Sequence, residues 1–215
     1  MENSILHGIY ATRCPICESP QDKLGCFQEY PLCNAQQYQS WIDGSDKESL
    51  YNKGVKLVQN ALWSLQDAVP HQLIRSDILY TMLLRNLQHL IDWITEFLEY
   101  HNRLPAFNNV WSLLPCYPGI HVSHKSYRLL SQLPAKEMQS ILMVILGVFT
   151  AVLHHKTGTQ RPTGGQEQEF KKAITCVQYL TDFALLSQYR SHTDSTIRYM
   201  RQYLKQFHAN KNMFI

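Results

Sequence analysis

Residues 138–153 read MQSILMVILGVFTAVL, a run that carries no charged side chain. At about 1.5 Å of rise per residue, this run would form a helix about 24 Å long. That is short of the roughly 30 Å of a bilayer core. Between Ile141 and Leu153 the run is apolar on nearly all sides, which is typical of a helix enclosed by other helices. It predicts a central buried helix from about Pro134 to His155.

Helical periodicity continues on both sides of this run. After Ser76, a plausible N-cap, an apolar stripe covers about five helical turns. Its members are Leu79, Leu83, Leu87, Leu90, Ile94 and Phe97. An earlier pattern predicts a helix from Lys47 to about Val69. The pattern therefore predicts a mainly α-helical fold with five or six helices and little or no sheet.

The second half of the chain alternates loops with helices. Prolines between residues 101 and 135 predict a loop-rich crossing with a short helix at about Asn109–Leu114. The stretch 156–168 holds three glycines and no aliphatic side chain, which predicts a surface loop. A helix with Phe170 facing inward follows. A capping sequence at residues 191–194 then precedes a last helix with an inward stripe of Ile197, Met200, Leu204 and Phe207.

Composition narrows the class of protein. The chain has 215 residues, of which 45% are hydrophobic and 17% charged, and its net charge is +3. These values fit one domain, or one domain with a small appendage, and a charge of +3 is too small to bind nucleic acid by bulk electrostatics. Residues 1–7 lack a basic and apolar leader, so we expect a nuclear or cytoplasmic protein that is not secreted. We expect no membrane partner and no small-molecule cofactor.

The N-terminal residues 1–45 form a loop-rich, cysteine-containing appendage to a helical domain at 46–215. Cys14-Pro15-Ile16-Cys17 has the spacing of a zinc knuckle, because two intervening residues let both thiolates reach one tetrahedral ion. Cys26 and Cys33 could complete a structural zinc site, although their spacing lacks a second knuckle. His7 or His71 could serve equally, and small buried thiols are the alternative to a metal site.

Two charged helix faces allow more than one interpretation. Asp92, Glu96 and Glu99 share a face, but three carboxylates without a nearby His or Cys usually form a solvated surface. Arg198, Arg201 and Lys205, together with His208, share a face of the last helix. That face could contact DNA phosphates, or it could simply be solvated.

Five segments in one order resemble the Plavaka-type transposases, a group within the Kyakuja-Dileera-Zisupton elements of fungal genomes. The first is Arg13-Cys14-Pro15-Ile16-Cys17, followed by Pro20-Gln21-Asp22-Lys23-Leu24-Gly25. The later ones are Asp77-Ile78-Leu79 with His89-Leu90-Ile91-Asp92-Trp93, then Tyr117-Pro118-Gly119, Lys136-Glu137-Met138, and Tyr189–Thr196 with Phe207–Ile215. The resemblance covers nearly the whole chain from about residue 10.

This resemblance implies a ribonuclease-H-like core in which acids hold two Mg²⁺ ions for DNA transposition. It makes Asp77 and Glu137 candidate catalytic acids, although each also lies where the helix dipole favours an acid. The family's first two catalytic aspartates lie upstream of the Cys-Pro-x-Cys segment, and Tyr80 stands where the family has a histidine. We therefore expect a truncated, inactive C-terminal fragment that covers the insertion region. The alternative is a domesticated, non-catalytic helical domain that binds DNA or other transposase copies.

Overall fold

The computed structural model describes residues 14, 16–56, 78–115, 117–120, 135–154 and 163–214. The chain divides into two compact units, Met1–Ser76 and Asp77–Ile215. Within the described residues the regular structure is helical, apart from one isolated antiparallel bridge between Cys17 and Leu32. The predicted mainly α-helical fold is confirmed.

The first unit contains two short α-helices after a 3₁₀ turn at Gln21–Lys23. Helix α1 spans Ala35–Asp43 and helix α2 spans Lys47–Asn52. Both begin at side-chain caps: Asn34 accepts a hydrogen bond from the backbone N–H of Gln37, and Asp46 accepts one from that of Ser49. These helices enclose a small core whose buried members are Cys33, Tyr38, Ile42, Leu50 and Val55.

Helix α2 is shorter than the sequence predicts. It ends at Asn52 instead of continuing towards Val69, because Gly54 adopts a left-handed φ of 70°. The backbone N–H of Val55 donates to the carbonyl of Leu50 at 2.8 Å, and that of Gly54 donates to Tyr51 at 2.9 Å. This pair of bonds is the Schellman arrangement that ends helices at glycine. The helical pattern after residue 56 lies outside the described residues up to Ile78.

The predicted division into residues 1–45 and 46–215 stays a prediction. Leu50 and Val55, which follow residue 45, lie in the same small core as Cys33. The first helical segment after the predicted boundary therefore packs with the cysteine-containing segment.

The second unit is a set of five α-helices within the described residues. A π-helical segment, Ile78–Asn86, leads directly into α3, Leu87–Tyr100. It is followed by α4 at Leu104–Ser112, α5 at Ala135–His154, α6 at Gly164–Ser187 and α7 at Asp194–Asn210, after which comes a 3₁₀ turn at Lys211–Met213. Helices α6 and α7 form a long antiparallel hairpin, and α5 packs against α4 and α6.

Two helix starts differ from the sequence-based expectation. Helix α4 begins at Leu104, earlier than expected, because Pro105 occupies its first turn, where a missing N–H costs nothing. Helix α6 begins at Gly164, inside the stretch expected to be a loop. Thr163 and Gln166 form a reciprocal capping box there, which supplies the missing hydrogen-bond partners at the helix start.

Helix α5 supplies much of the apolar core, and Phe149 on it is fully buried. The ring of Phe97 on α3 lies edge-on to three others, at centroid distances of 6.0 Å to Phe149, 6.1 Å to Phe170 and 5.5 Å to Phe214. Edge-to-face rings at such distances are favoured by their quadrupoles. The stripe predicted on α3 is confirmed from Leu83 onward, since its members are buried.

Helix α5 is the predicted buried helix, but one of its faces is open to solvent. Met143 is 51% exposed, and Gly147 and Ala151 lie exposed one and two turns further on. By length and composition, Lys136–His154 could cross a membrane, but half of that window is buried inside the protein. The core helix of a soluble protein meets the same criterion.

We expect Phe149→Ala to lower the free energy of unfolding of the second unit by about 3–5 kcal/mol, because it leaves a cavity in the core beside Phe97. Met143→Ala, on the exposed face of the same helix, should change it by less than about 0.5 kcal/mol. Chemical denaturation followed by helical circular dichroism measures both. Equal losses in the two variants would contradict the assignment of α5 as the core helix.

Candidate functional site

The cysteine-containing segment brings the Cys-Pro-x-Cys turn beside Cys33. The backbone N–H of Cys33 donates to the carbonyl of Ile16, and that of Glu18 donates to Pro31, both at 2.9 Å. These two bonds flank the bridge between Cys17 and Leu32. Cys14 and Cys17 are partly buried, Cys33 is buried, and Cys26 is exposed after the 3₁₀ turn. His7 and His71 lie outside the described residues.

The thiols of this segment influence one another. Burial raises the pKa of Cys17, and a hydrogen bond to Cys14 and the charge of that neighbour raise it further. Burial raises the pKa of Cys33 to about 11, while a hydrogen bond with Tyr38 acts in the opposite direction. The charges of Cys14 and Cys17 also raise the pKa of Cys33. Without a cation, Cys17 and Cys33 therefore favour the neutral thiol form.

A cavity of about 20 Å³ lies against the two knuckle thiols. Cys14, Cys17, Glu18, Tyr38 and Lys53 line it, together with Ser19 and Val55. The ammonium of Lys53 forms an ion pair with Glu18 at 3.1 Å. Two thiols are suitable donors for zinc, so the pair fits half of a tetrahedral site. In the described parts of the chain, however, no three His, Cys, Asp or Glu side chains are grouped so that they could hold a metal.

Of the two candidate catalytic acids, Glu137 is the one that lies within the described residues. Asp77 and the side chain of Tyr80 lie outside those residues. Glu137 is half-buried in the first turn of α5. Asp92 is exposed, and its Oδ1 accepts a hydrogen bond from Gln88 at 3.0 Å. Glu96 and Glu99 are exposed as well, so the face that they share with Asp92 is a solvated one.

Helix α7 presents its basic residues to solvent. The capping box between Thr193 and Thr196 fixes the helix start, as the sequence predicts near this position. Arg198, Arg201 and Lys205 are all exposed. Phe207 is buried in the core and Leu204 packs against that core, so the basic face lies away from it. The predicted inward stripe is wrong at Ile197, which is 44% exposed near the end of the hairpin.

A row of tyrosines runs along the α6–α7 hairpin, and no prediction from the sequence includes it. Tyr199 and Tyr203 stack one turn apart with ring centroids at 6.4 Å and an angle of 21° between their planes. Tyr179 on α6 lies 6.0 Å from Tyr203. The four-residue spacing of Tyr199 and Tyr203 is visible in the sequence and places both rings on one face of a helix. The contact between Tyr179 and Tyr203 depends on how α6 and α7 pack, so it cannot be read from the spacing.

Comparison with known proteins gives one match. The family model described as Plavaka transposase matches residues 1–94. No curated protein and no solved structure matches the chain. The segments after residue 94 lie outside the matched range, so their resemblance to this family stays a prediction. Over residues 1–94, which include the Cys-Pro-x-Cys turn, the resemblance is confirmed, and this part of the chain is similar to the Plavaka transposase family.

Proposed function

We propose that the chain is a transposon-derived protein that binds DNA through α7 and does not catalyse strand transfer by itself. The observation that supports DNA binding most directly is the exposed basic face of Arg198, Arg201 and Lys205. The family match supports DNA as the partner class, since transposases act on DNA. Such a function fits a nuclear location.

The positive charge of the chain is concentrated in and just before helix α7, which favours this helix as the DNA-binding element. Residues 188–205 contain Arg190, Arg198, Arg201 and Lys205 against one acid, Asp194, and this stretch alone accounts for a charge equal to the whole chain's +3. The rest of the chain is neutral in sum. A local concentration of cations attracts phosphates even when the net charge of a protein is small, because each contact releases condensed counterions.

We expect the double variant Arg198→Ala plus Arg201→Ala to weaken binding of the full chain to a DNA duplex. Loss of two phosphate contacts should flatten the plot of log K against log salt by about 1.8. Gel shifts over a range of salt concentrations measure this slope. The matched control is Lys136→Ala plus Lys171→Ala, which removes two exposed charges from other helices and should leave the slope unchanged. Equal slopes in wild type and the α7 variant would remove this face from the proposal.

The requirements of two-metal chemistry support the proposed lack of catalysis. A two-metal mechanism requires several acids that converge on ions about 4 Å apart. Asp92 is exposed, and its carboxylate accepts a hydrogen bond from Gln88 one turn earlier on the same helix. The ribonuclease-H-like core and its Mg²⁺ therefore remain properties of the intact family, and Asp77 and Glu137 remain candidates only within such a core.

We expect the purified chain to leave supercoiled plasmid intact in the presence of Mg²⁺ or Mn²⁺. The measurement is agarose electrophoresis after long incubation, with Asp77→Ala and Glu137→Gln prepared in parallel. Nicking by the wild type that either substitution abolishes would overturn the proposed lack of activity. Nicking that persists in both variants would indicate a contaminating nuclease.

A structural zinc ion at Cys14 and Cys17 is the second part of the proposal. The cavity beside both thiols and the small core of this segment support it, because a loop-rich unit gains order from a metal. The remaining ligands come from the cysteines predicted by sequence, Cys26 and Cys33, or from an imidazole. Cys33 is the nearer in the fold, because it is bonded to the turn through Ile16.

We expect about one zinc per chain after purification without chelator, and a much lower content in Cys14→Ser plus Cys17→Ser. Elemental analysis measures both. Cys26→Ser is the matched control, because this exposed cysteine should be dispensable if Cys33 is the third ligand. Equal zinc in the wild type and the double variant would show that the knuckle is not a site.

A further inference from the structure

The tyrosine row of Tyr179, Tyr203 and Tyr199 spans the α6–α7 hairpin, and the proposed phosphate contacts do not involve it. Tyr199 is 49% exposed, and Tyr179 and Tyr203 are partly exposed. The near-parallel rings of Tyr199 and Tyr203 continue across the helix pair to Tyr179. Tyr179 also packs against the apolar core, and Tyr199 is the member of the row most open to solvent.

The row and the basic face are neighbouring parts of one exposed surface. Successive residues of an α-helix are about 100° apart, so Arg198 and Tyr199 lie on adjoining sides of α7. Ser195 and Gln202 occupy the sector between them, and both are exposed. The exposed arc of α7 therefore runs from an aromatic edge, through short polar side chains, to a basic edge.

Two acids border this surface. Asp194 lies one turn before Arg198, and Asp182 on α6 lies one turn after Tyr179. Asp182 is partly buried and Asp194 is in the first turn of α7, where the helix dipole favours an acid. Arg198, Arg201 and Lys205 outnumber them, so the surface as a whole still attracts anions.

We propose that this surface binds single-stranded DNA, with bases stacked on the tyrosine row and phosphates on the Arg198 side. The inference rests on the proposed DNA-binding function and specifies its ligand. In a duplex, the faces of the bases are already stacked on one another, so the rings could not be used. A single strand has a flexible backbone of phosphates and base faces that are free to stack. Proteins that bind single strands recognise these two features with basic and aromatic side chains, respectively.

The test compares two probes on the full chain by fluorescence anisotropy. One is labelled oligothymidine of about 20 nucleotides, longer than the roughly 4–16 nucleotides that such sites cover. The other is a labelled duplex of equal length. The variants are Tyr199→Ala, Tyr179→Ala and Tyr199→Phe, the last of which keeps the ring and removes only the hydroxyl.

The expected result is a loss of about fivefold or more in single-strand affinity for Tyr199→Ala, since base stacking on one ring contributes at least this much. Tyr179→Ala should also weaken single-strand binding. Tyr199→Phe should bind the single strand as the wild type does, and duplex binding should change by less than about twofold in all three. Circular dichroism checks that each variant keeps its helix content.

The outcomes separate this inference from the function on which it rests. If the wild type binds both probes but neither alanine variant affects the single strand, the stacking surface is wrong and DNA binding stands. Equal losses of affinity for the single strand and the duplex would also contradict the stacking surface. If the wild type binds neither probe at low salt, the proposed DNA-binding function itself fails.

Discussion

Burial of α5 is the constraint on which the second unit depends. Its apolar side chains have to be removed from water, and α3, α4 and α6 provide the surfaces that cover them. The same packing fixes one buried cation. The guanidinium of Arg103 donates to the carbonyl of Val152 at 2.9 Å and lies 5.3 Å from the ring centre of Phe170. Burial lowers the pKa of Arg103, and the carbonyl and the ring partly replace the water that it loses.

The α6–α7 hairpin follows from that arrangement. Ala173 and Val177 on α6 are fully buried in the core, which fixes the rotation of this helix. Cys176 then lies within 4.0 Å of the carbonyl of Phe207 on α7. Once Phe207 is buried, the helical period puts Arg198, Arg201 and Lys205 on the opposite side. The exposure of the basic face is therefore a consequence of core packing further along the same helix.

Local patterns were sufficient to predict much of this unit. Apolar spacing predicted α3, α5 and α7, and the cap at Thr193 lay where residues 191–194 indicated, because these features depend on neighbours within a few residues. The exposed state of Ile197 was not predictable in this way. It depends on how far α7 extends past the core, which only tertiary packing decides. For the candidate site, spacing identified the Cys-Pro-x-Cys pair, but Cys33 joins it through a backbone hydrogen bond to Ile16 that no linear pattern contains.

The stability of the cysteine-containing unit depends on pH through Asp46, the N-cap of α2. Hydrogen bonds from the side chain and the backbone of Ser49 lower the pKa of Asp46 below its ordinary 3.8. A carboxyl with a lowered pKa stabilises the folded state above its ordinary pKa, and this contribution disappears as pH falls through the lowered value. Helix α2 leads into Lys53, which pairs with Glu18 at the wall of the thiol cavity. Acid therefore weakens the cap at the start of the helix that leads into Lys53 and the cavity wall.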